Sequence, residues 1–250
     1  MTLHPLAAKF ASVADAYERG RPEYAPAVVG ALAAELGLAG GAPVLDLAAG
    51  TGKLTRALVA GGLDVVAVEP QAEMREALAA SIGAERAREG VAEAIPLDDG
   101  SVDAVTVADG FHWFDQAAAL AEIRRVLSPG GGLAVLTTIP DWGEASWAHE
   151  LGTRVGELRP AHPYFDGPPW QEAVGAAGGW TKPREVRVTA SQPTSPDRIV
   201  AYVASMSWVA ALPDDQRAEW LAEAAAIVES GGTPAELPVQ VIVGLTTLER

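Results

Sequence analysis

A chain of 250 residues with 49% hydrophobic content can build one α/β domain, or one domain with an insertion, around a full core. Its net charge of −15, from 33 acidic and 18 basic residues, opposes a nucleic-acid substrate, because a polyanion needs a basic groove and no Lys/Arg cluster offers one. With no cysteine, disulfides, thiolate metal sites and cysteine nucleophiles are excluded together. His4, His112, His149 and His162 show no paired metal-ligand spacing. There is no signal-like segment and no apolar run near the ~18–20 residues of a membrane span, so the expectation is a cytoplasmic protein without a membrane partner.

In chain order, Phe10, Val13, Ala14 and Tyr17 fall at helical spacing, which predicts an amphipathic helix over Lys9–Tyr17. Ala25–Leu36 reads as the first core helix, ended by Gly37. The run Val44–Leu47 reads as a buried strand that meets a turn of small residues, and the helix Lys53–Ala60 follows. A second strand, Asp64–Val68, ends in Glu69, and Ala72–Ser81 is helical with Met74, Ala77 and Leu78 on one face. Ala87–Val91 is a short third strand. Val102–Val107 is largely apolar, as a strand buried on both faces should be, and it runs into Ala108-Asp109-Gly110-Phe111-His112-Trp113. Gln116–Leu127 is helical, Ser128–Gly132 breaks it, and Leu133–Thr137 is the fifth strand. Residues 139–182 change character, with Trp142, Trp147, Trp170 and Trp180 among Pro and Gly; they read as a substrate-side insertion with one helix, about Trp147–Leu158. A strand at Pro183–Ala190, helices at Pro196–Ala204 and Asp214–Ser230, and a last strand at Val239–Thr247 complete the chain.

The turn after the first strand carries the chemistry. Small residues at Ala48, Ala49, Gly50 and Gly52 let a ligand approach the backbone. The turn ends at a helix N-terminus, which favours an anionic ligand group. Glu69 lies at the ~20-residue offset of an acid that accepts ribose hydroxyls. Together these describe a nucleoside site at the carboxyl end of a parallel sheet. A dinucleotide fold would want a third glycine where Thr55 stands, and the glycine turn alone leaves the nucleoside open.

The pattern D-x-A-x-G-x-G over Asp46, Ala48, Gly50 and Gly52 resembles motif I of class I S-adenosylmethionine-dependent methyltransferases. Other stretches extend the resemblance from Phe10 to about Thr138. F-x-x-x-A-x-x-Y-x-x-x-R-P-x-Y (Phe10, Ala14, Tyr17, Arg21, Pro22, Tyr24) is similar to the family's N-terminal lid, and L-x-P-G-G precedes the fifth strand. Gly90-Val91-Ala92-Glu93-Ala94-Ile95-Pro96 is similar to the family's G-D-A-E-x-L-P, with Val91 in place of the Asp that usually bonds the adenine amino group. The resemblance implies a Rossmann-like, doubly wound, seven-stranded and mostly parallel sheet with an antiparallel last strand. It implies a single domain: a lid over residues 1–26, a cofactor core over 27–138, the insertion over 139–182, and closing strands and helices over 183–250. It implies S-adenosylmethionine as cofactor, with Tyr17 and Arg21 at its methionine carboxylate, Asp46, Ala48, Gly50, Gly52 and Glu69 around turn and ribose, Pro70, Gln71 and Met74 along the adenine, and Ala92, Glu93 and Asp109 completing the pocket.

The expected reaction is attack of a small-molecule nucleophile on the sulfonium methyl, with no metal. His112, just past the fourth strand and among Phe111, Trp113 and Phe114, is the candidate catalytic and substrate-binding residue; Trp113 and Trp142 are candidate substrate walls or core. The motif F-H-W-F-D resembles the small-acid O-methyltransferase branch that includes trans-aconitate methyltransferases. A carboxylate acceptor, with a pKa of ~4, is already ionised, so His112 would orient it. A phenol or amine acceptor would make His112 the base. A non-methylating reaction such as cyclisation, and a cofactor-binding protein without turnover, also fit the motifs.

Overall fold

Strands whose alternate residues are apolar on both sides need cover on both faces. The computed structural model, which describes residues 3–143 and 145–249, provides it. One sheet holds β1 (Pro43–Leu47), β2 (Asp64–Val68), β3 (Ala87–Arg88), β4 (Val102–Ala108), β5 (Leu127–Pro140), β6 (Arg184–Pro193) and β7 (Glu236–Thr247), in the order β3-β2-β1-β4-β5-β7-β6. Pairs β1–β2, β1–β4, β2–β3 and β4–β5 are parallel, and β7 is antiparallel. This is the mostly parallel, Rossmann-like sheet that the sequence implies. The strand order reverses between β1 and β4, and open α/β sheets bind ligands outside the carboxyl ends at such a switch point.

The helices are α1 (Ala14–Gly20), α2 (Pro26–Leu36), α3 (Lys53–Ala60), α4 (Ala72–Ile82), α5 (Gln116–Val126), α6 (Ala148–Leu158), α7 (Pro163–Asp166), α8 (Trp170–Ala177), α9 (Pro196–Ala204), α10 (Ser207–Ala210) and α11 (Asp214–Gly231). The chain divides into two compact units. The larger comprises Tyr24–Thr138, Pro163–Val188 and the segment from Val241. In it, Leu45, Leu47, Val105 and Val107 pack with Leu120 and Ile123 of α5 and with Val174 and Trp180. Their strand neighbours Val44 and Ala104 point the other way, against Leu32 of α2 and Leu54 and Leu58 of α3.

The smaller unit comprises the segment up to Glu23, Ile139–His162 and Thr189–Gln240. Its core is Trp147, Leu151 and Val155 of α6, Ile199 and Val203 of α9, Ala224 and Val228 of α11, and Leu237. Gly20 lets α1 lie directly on α9: a Cβ there would overlap the backbone of Ala201 and Tyr202. Gly20→Ala should therefore lower stability by about 1–3 kcal/mol, read as a shift of the urea midpoint at unchanged slope. A neutral result would mean that α1 is not seated on α9.

Several elements differ from the sequence reading. The expected helix over Lys9–Tyr17 is a 3-10 stretch, Ala7–Val13, followed by α1, because Val13 leaves helical geometry at φ −128°. The third strand ends at Arg88, since the chain turns at Gly90, packed against Pro96 and Val68. Residues 128–131, expected as a break, are extended within β5 but bulge: pairing jumps from Val102–Leu127 to Ala104–Gly132. Residues 139–182 hold three helices, not one, because prolines at 163 and 169 start α7 and α8. The tryptophans there are chiefly core: Trp147 in the smaller unit, Trp170 and Trp180 in the larger.

Candidate functional site

The carboxyl ends of β1 and β4 carry the site. β1 delivers Asp46, 1% exposed, whose Oδ2 accepts from the Thr55 hydroxyl at 2.6 Å and whose Oδ1 accepts from Thr106 at 3.0 Å. The carboxylate thus ties β1 to α3 and β4. Thr55, where a dinucleotide motif would want glycine, is needed for this bond. Burial pushes the Asp46 carboxyl up to about 6, against the lowering effect of both hydroxyls. A carboxyl raised above its unfolded value holds its proton more tightly when folded, so its contribution to stability falls as pH rises from about 4 to 6. Relative to Asp46→Asn, which cannot ionise, the wild type should lose about 2 kcal/mol between pH 4 and pH 7 in urea denaturation. Parallel curves for the two proteins would show that burial does not raise the Asp46 carboxyl.

The turn that follows is bare of side chains where a ligand would approach. Ala48, Gly50 and Gly52 have φ of 56°, 59° and 89°. For Ala48 this left-handed conformation costs about 1–2 kcal/mol, and such strain concentrates at functional sites. Gly52 has a packing reason as well, since a Cβ would come within 2.6 Å of Leu78 of α4. Glu69, 4% exposed, reaches back from the end of β2: Gly50 N–H donates to Oε2 at 2.9 Å and Gln71 N–H to Oε1 at 3.0 Å. Burial raises its carboxyl, and the two backbone donors oppose that. Arg75, not singled out in the sequence, donates to the carbonyls of Glu69 and Pro70 at 2.8 and 3.0 Å and so fixes the corner. Met74 is buried beneath it.

Glu93 accepts from Asp115 N–H at 2.8 Å, and Ile95 N–H donates to Glu122 at 2.9 Å, so the loop holding buried Ala92 is braced from α5. Val91 forms only a bridge to Ala94. Asp109, at the end of β4, is also left-handed, with φ 52°. Its carboxylate accepts from Thr138 N–H at 3.0 Å and from the Tyr24 hydroxyl at 3.5 Å, and Tyr24 meets Thr138 Oγ1 at 2.9 Å. Gly110 lies against Ala48, which joins the two strand ends.

Beyond Asp109, the 3-10 turn Phe111–Trp113 buries Phe111 and leaves His112 and Trp113 half-buried. The His112 ring lies 4.6 Å from that of Trp113 and 5.3 Å, edge-on, from that of Tyr164 in α7. Tyr164 hydrogen-bonds the Thr137 side chain, and burial together with the charge of Asp109 raises its phenol. Sequence reasoning missed Tyr164, because no local pattern links a four-residue helix to a turn some fifty residues earlier. Three expected residues lie in the smaller unit. There Arg21 stacks over the rings of Tyr17 and Tyr202 at 5.2 and 4.7 Å and donates to Ser205 Oγ at 2.8 Å, while Trp142 packs between Trp147 and Tyr202. Among the described residues no group of three His, Cys, Asp or Glu could hold a metal ion, and no helix is long and apolar enough to cross a membrane.

Comparison with known proteins agrees with this architecture. Residues 45–135 match the model of the methyltransferase domain family. An uncharacterized methyltransferase of Mycobacterium tuberculosis is 41% identical, over 85% of this chain and 82% of its own length. A methyltransferase-like protein of Schizosaccharomyces pombe is 32% identical, over 84% and 82%. Among solved structures, the YcgJ protein of Bacillus subtilis shares the fold with a TM-score of 0.52 at 18% identity, over 89% of this chain and 98% of that one. A protein described as a type II methyltransferase, from Anaeromyxobacter dehalogenans, shares it at 0.55 and 23%, over 92% and 97%. The motif I turn on β1, the acid on β2, the strand order and the relatives agree: this chain belongs to the class I S-adenosylmethionine-dependent methyltransferases.

Proposed function

We propose that this methyltransferase binds S-adenosylmethionine at the β1 turn and Glu69 and methylates a small molecule beside His112. The observation that supports the cofactor position is the turn itself: small residues, strained at Ala48, at the switch point, with the buried Thr51 hydroxyl lacking a hydrogen-bond partner among the described residues. The residues fit a nucleoside. Glu69 is braced by two backbone donors and keeps lone pairs for ribose hydroxyls, Pro70, Gln71 and Met74 form the adenine side with Ala92, and Glu93 and Asp46 act by holding their loops. Bound S-adenosylmethionine supplies an activated methyl on a sulfonium centre. The chain's residues then hold the acceptor in line and exclude water, and such positioning is worth about 7–11 kcal/mol.

A small acceptor is favoured by the net charge of −15, and we place the reaction in the cytoplasm. The carboxylate implied by the small-acid resemblance would be oriented by His112. It would also meet the charge of Asp109, which favours an acceptor that arrives carrying its proton. Calorimetric titration with S-adenosylmethionine and S-adenosylhomocysteine, followed by mass spectrometry for the gain of one methyl, tests the reading; absence of binding removes it, and turnover without a methyl gain would favour a cyclisation.

The lid resemblance assigns the methionine carboxylate of the cofactor to Tyr17 and Arg21. Arg21→Ala should then weaken S-adenosylmethionine by about tenfold and leave methylthioadenosine, which lacks that carboxylate, unchanged. Equal losses for both would confine Arg21 to its stacking on Tyr202.

A further inference from the structure

Four aromatic rings form an unbroken run in the larger unit: Trp113 to His112 at 4.6 Å, His112 to Tyr164 at 5.3 Å, and Tyr164 to Phe165 at 4.9 Å. The run joins two elements, the turn after β4 and α7. Tyr164 and Phe165 are 45% and 53% exposed, although they sit on a stiff support: α7 starts at Pro163, Gly167 N–H closes it onto the Pro163 carbonyl at 3.0 Å, and two prolines follow. Each ring has a neighbour, yet together they leave about half of their surface to solvent, more than packing alone calls for, since burial is what stabilises large rings. The Tyr164 hydroxyl is anchored to Thr137 at the end of β5, so the ledge lies at the carboxyl ends of β4 and β5, the end at which the proposed cofactor turn also opens.

We infer that this ledge seats a small aromatic acceptor bearing a hydroxyl group, and that His112 takes the proton of that hydroxyl. The inference rests on the proposed function and names its acceptor class. A flat ring matches the aromatic run by offset or edge contacts. The acceptor comes in neutral because the charge of Asp109 is felt at the Tyr164 hydroxyl, where a second anion would be repelled. Within the run, Trp is only a donor, Phe has no polar group and the Tyr164 phenol keeps its proton, so the imidazole is the one ring able to accept a proton. The phenolic oxygen attacks the methyl carbon. An O–C bond forms, the C–S bond breaks with its electron pair remaining on sulfur, and the phenolic proton passes to the imidazole. A neutral ether, a neutral thioether and an imidazolium result.

The test needs no known acceptor. Histidine ring resonances of the protein with S-adenosylhomocysteine are followed by NMR, with His112 assigned through His112→Asn. Catechol should move the His112 signal saturably, whereas citrate and tetramethylammonium at equal concentration should not. Tyr164→Ala should weaken catechol by about three- to tenfold, the worth of one aromatic pair, and Tyr164→Phe should retain it. No catechol response, an equal response to citrate or to tetramethylammonium, or full affinity in a folded Tyr164→Ala overturns the inference. Calorimetry on the same sample reports S-adenosylhomocysteine binding separately, and the catechol titration is repeated without it, so failure of the cofactor assignment is seen apart from failure of the acceptor class.

Discussion

His112→Asn is expected to slow methyl transfer by about 10²–10⁴-fold, the usual worth of general-base catalysis. The imidazole is half-buried, held between Trp113 and the edge of Tyr164, and placed just beyond β4. Asparagine keeps a hydrogen-bond donor of similar reach but cannot take a proton at any accessible pH. A loss confined to kcat, with a wild-type rate that rises with pH as the imidazole deprotonates and a variant that lacks that rise, identifies a base. A loss confined to KM, with no rise in the wild type, identifies an orienting group and restores the carboxylate acceptor of the small-acid resemblance. The pH–rate profile of both proteins decides between them.

Glu69→Ala is expected to weaken S-adenosylhomocysteine by about 2–3 kcal/mol, roughly 30- to 150-fold, because the proposed ribose assignment gives Glu69 two charge-assisted hydrogen bonds that the variant would lose. The substitution also strips the Gly50 and Gln71 amides of their acceptor, so the turn itself loosens. Glu69→Gln separates the two effects. Its amide oxygen can still accept from one of those backbone donors, and stability should recover more than affinity does. Calorimetry reads the affinity and thermal melts read the fold; unchanged affinity in a folded Glu69→Ala would remove the ribose assignment.

The core of this fold was legible because its signals are local. Val44–Leu47 and Asp64–Val68 are short apolar runs bounded by glycine and proline, and α3 and β2 fall where periodicity places them. The structure brings the glycine turn and Glu69 together, Gly50 N–H on Glu69 Oε2, as the motif and offset within one βαβ unit imply. What escaped depends on partners far apart in the chain. Nothing in Asp46 or Thr106 announces that one will hold the other across β1 and β4, and Tyr24, quoted as part of a lid pattern, closes on Asp109 and Thr138. The left-handed conformation of Ala48 was hidden, since alanine rarely adopts it, whereas Asp109 is a residue type that tolerates it. In residues 139–182 composition could say only that aromatics and prolines mix; which tryptophans are core follows from tertiary packing.

The smaller unit is assembled from three stretches scattered along the chain, the earliest ending at Glu23 and the latest at Gln240. On the ribosome, at about 5–20 residues per second, α1 therefore emerges roughly 10–40 s before the last of α11 and the strand that completes its unit. Gly20 has no α9 to rest on until residues 196–204 have been made, roughly 9–35 s after α1 at the same rate. The βα units from Tyr24 to Thr138 form a nearly continuous block and can begin to collapse first. Chain order thus makes the block from Tyr24 to Thr138 available to fold long before the last stretch of the smaller unit exists.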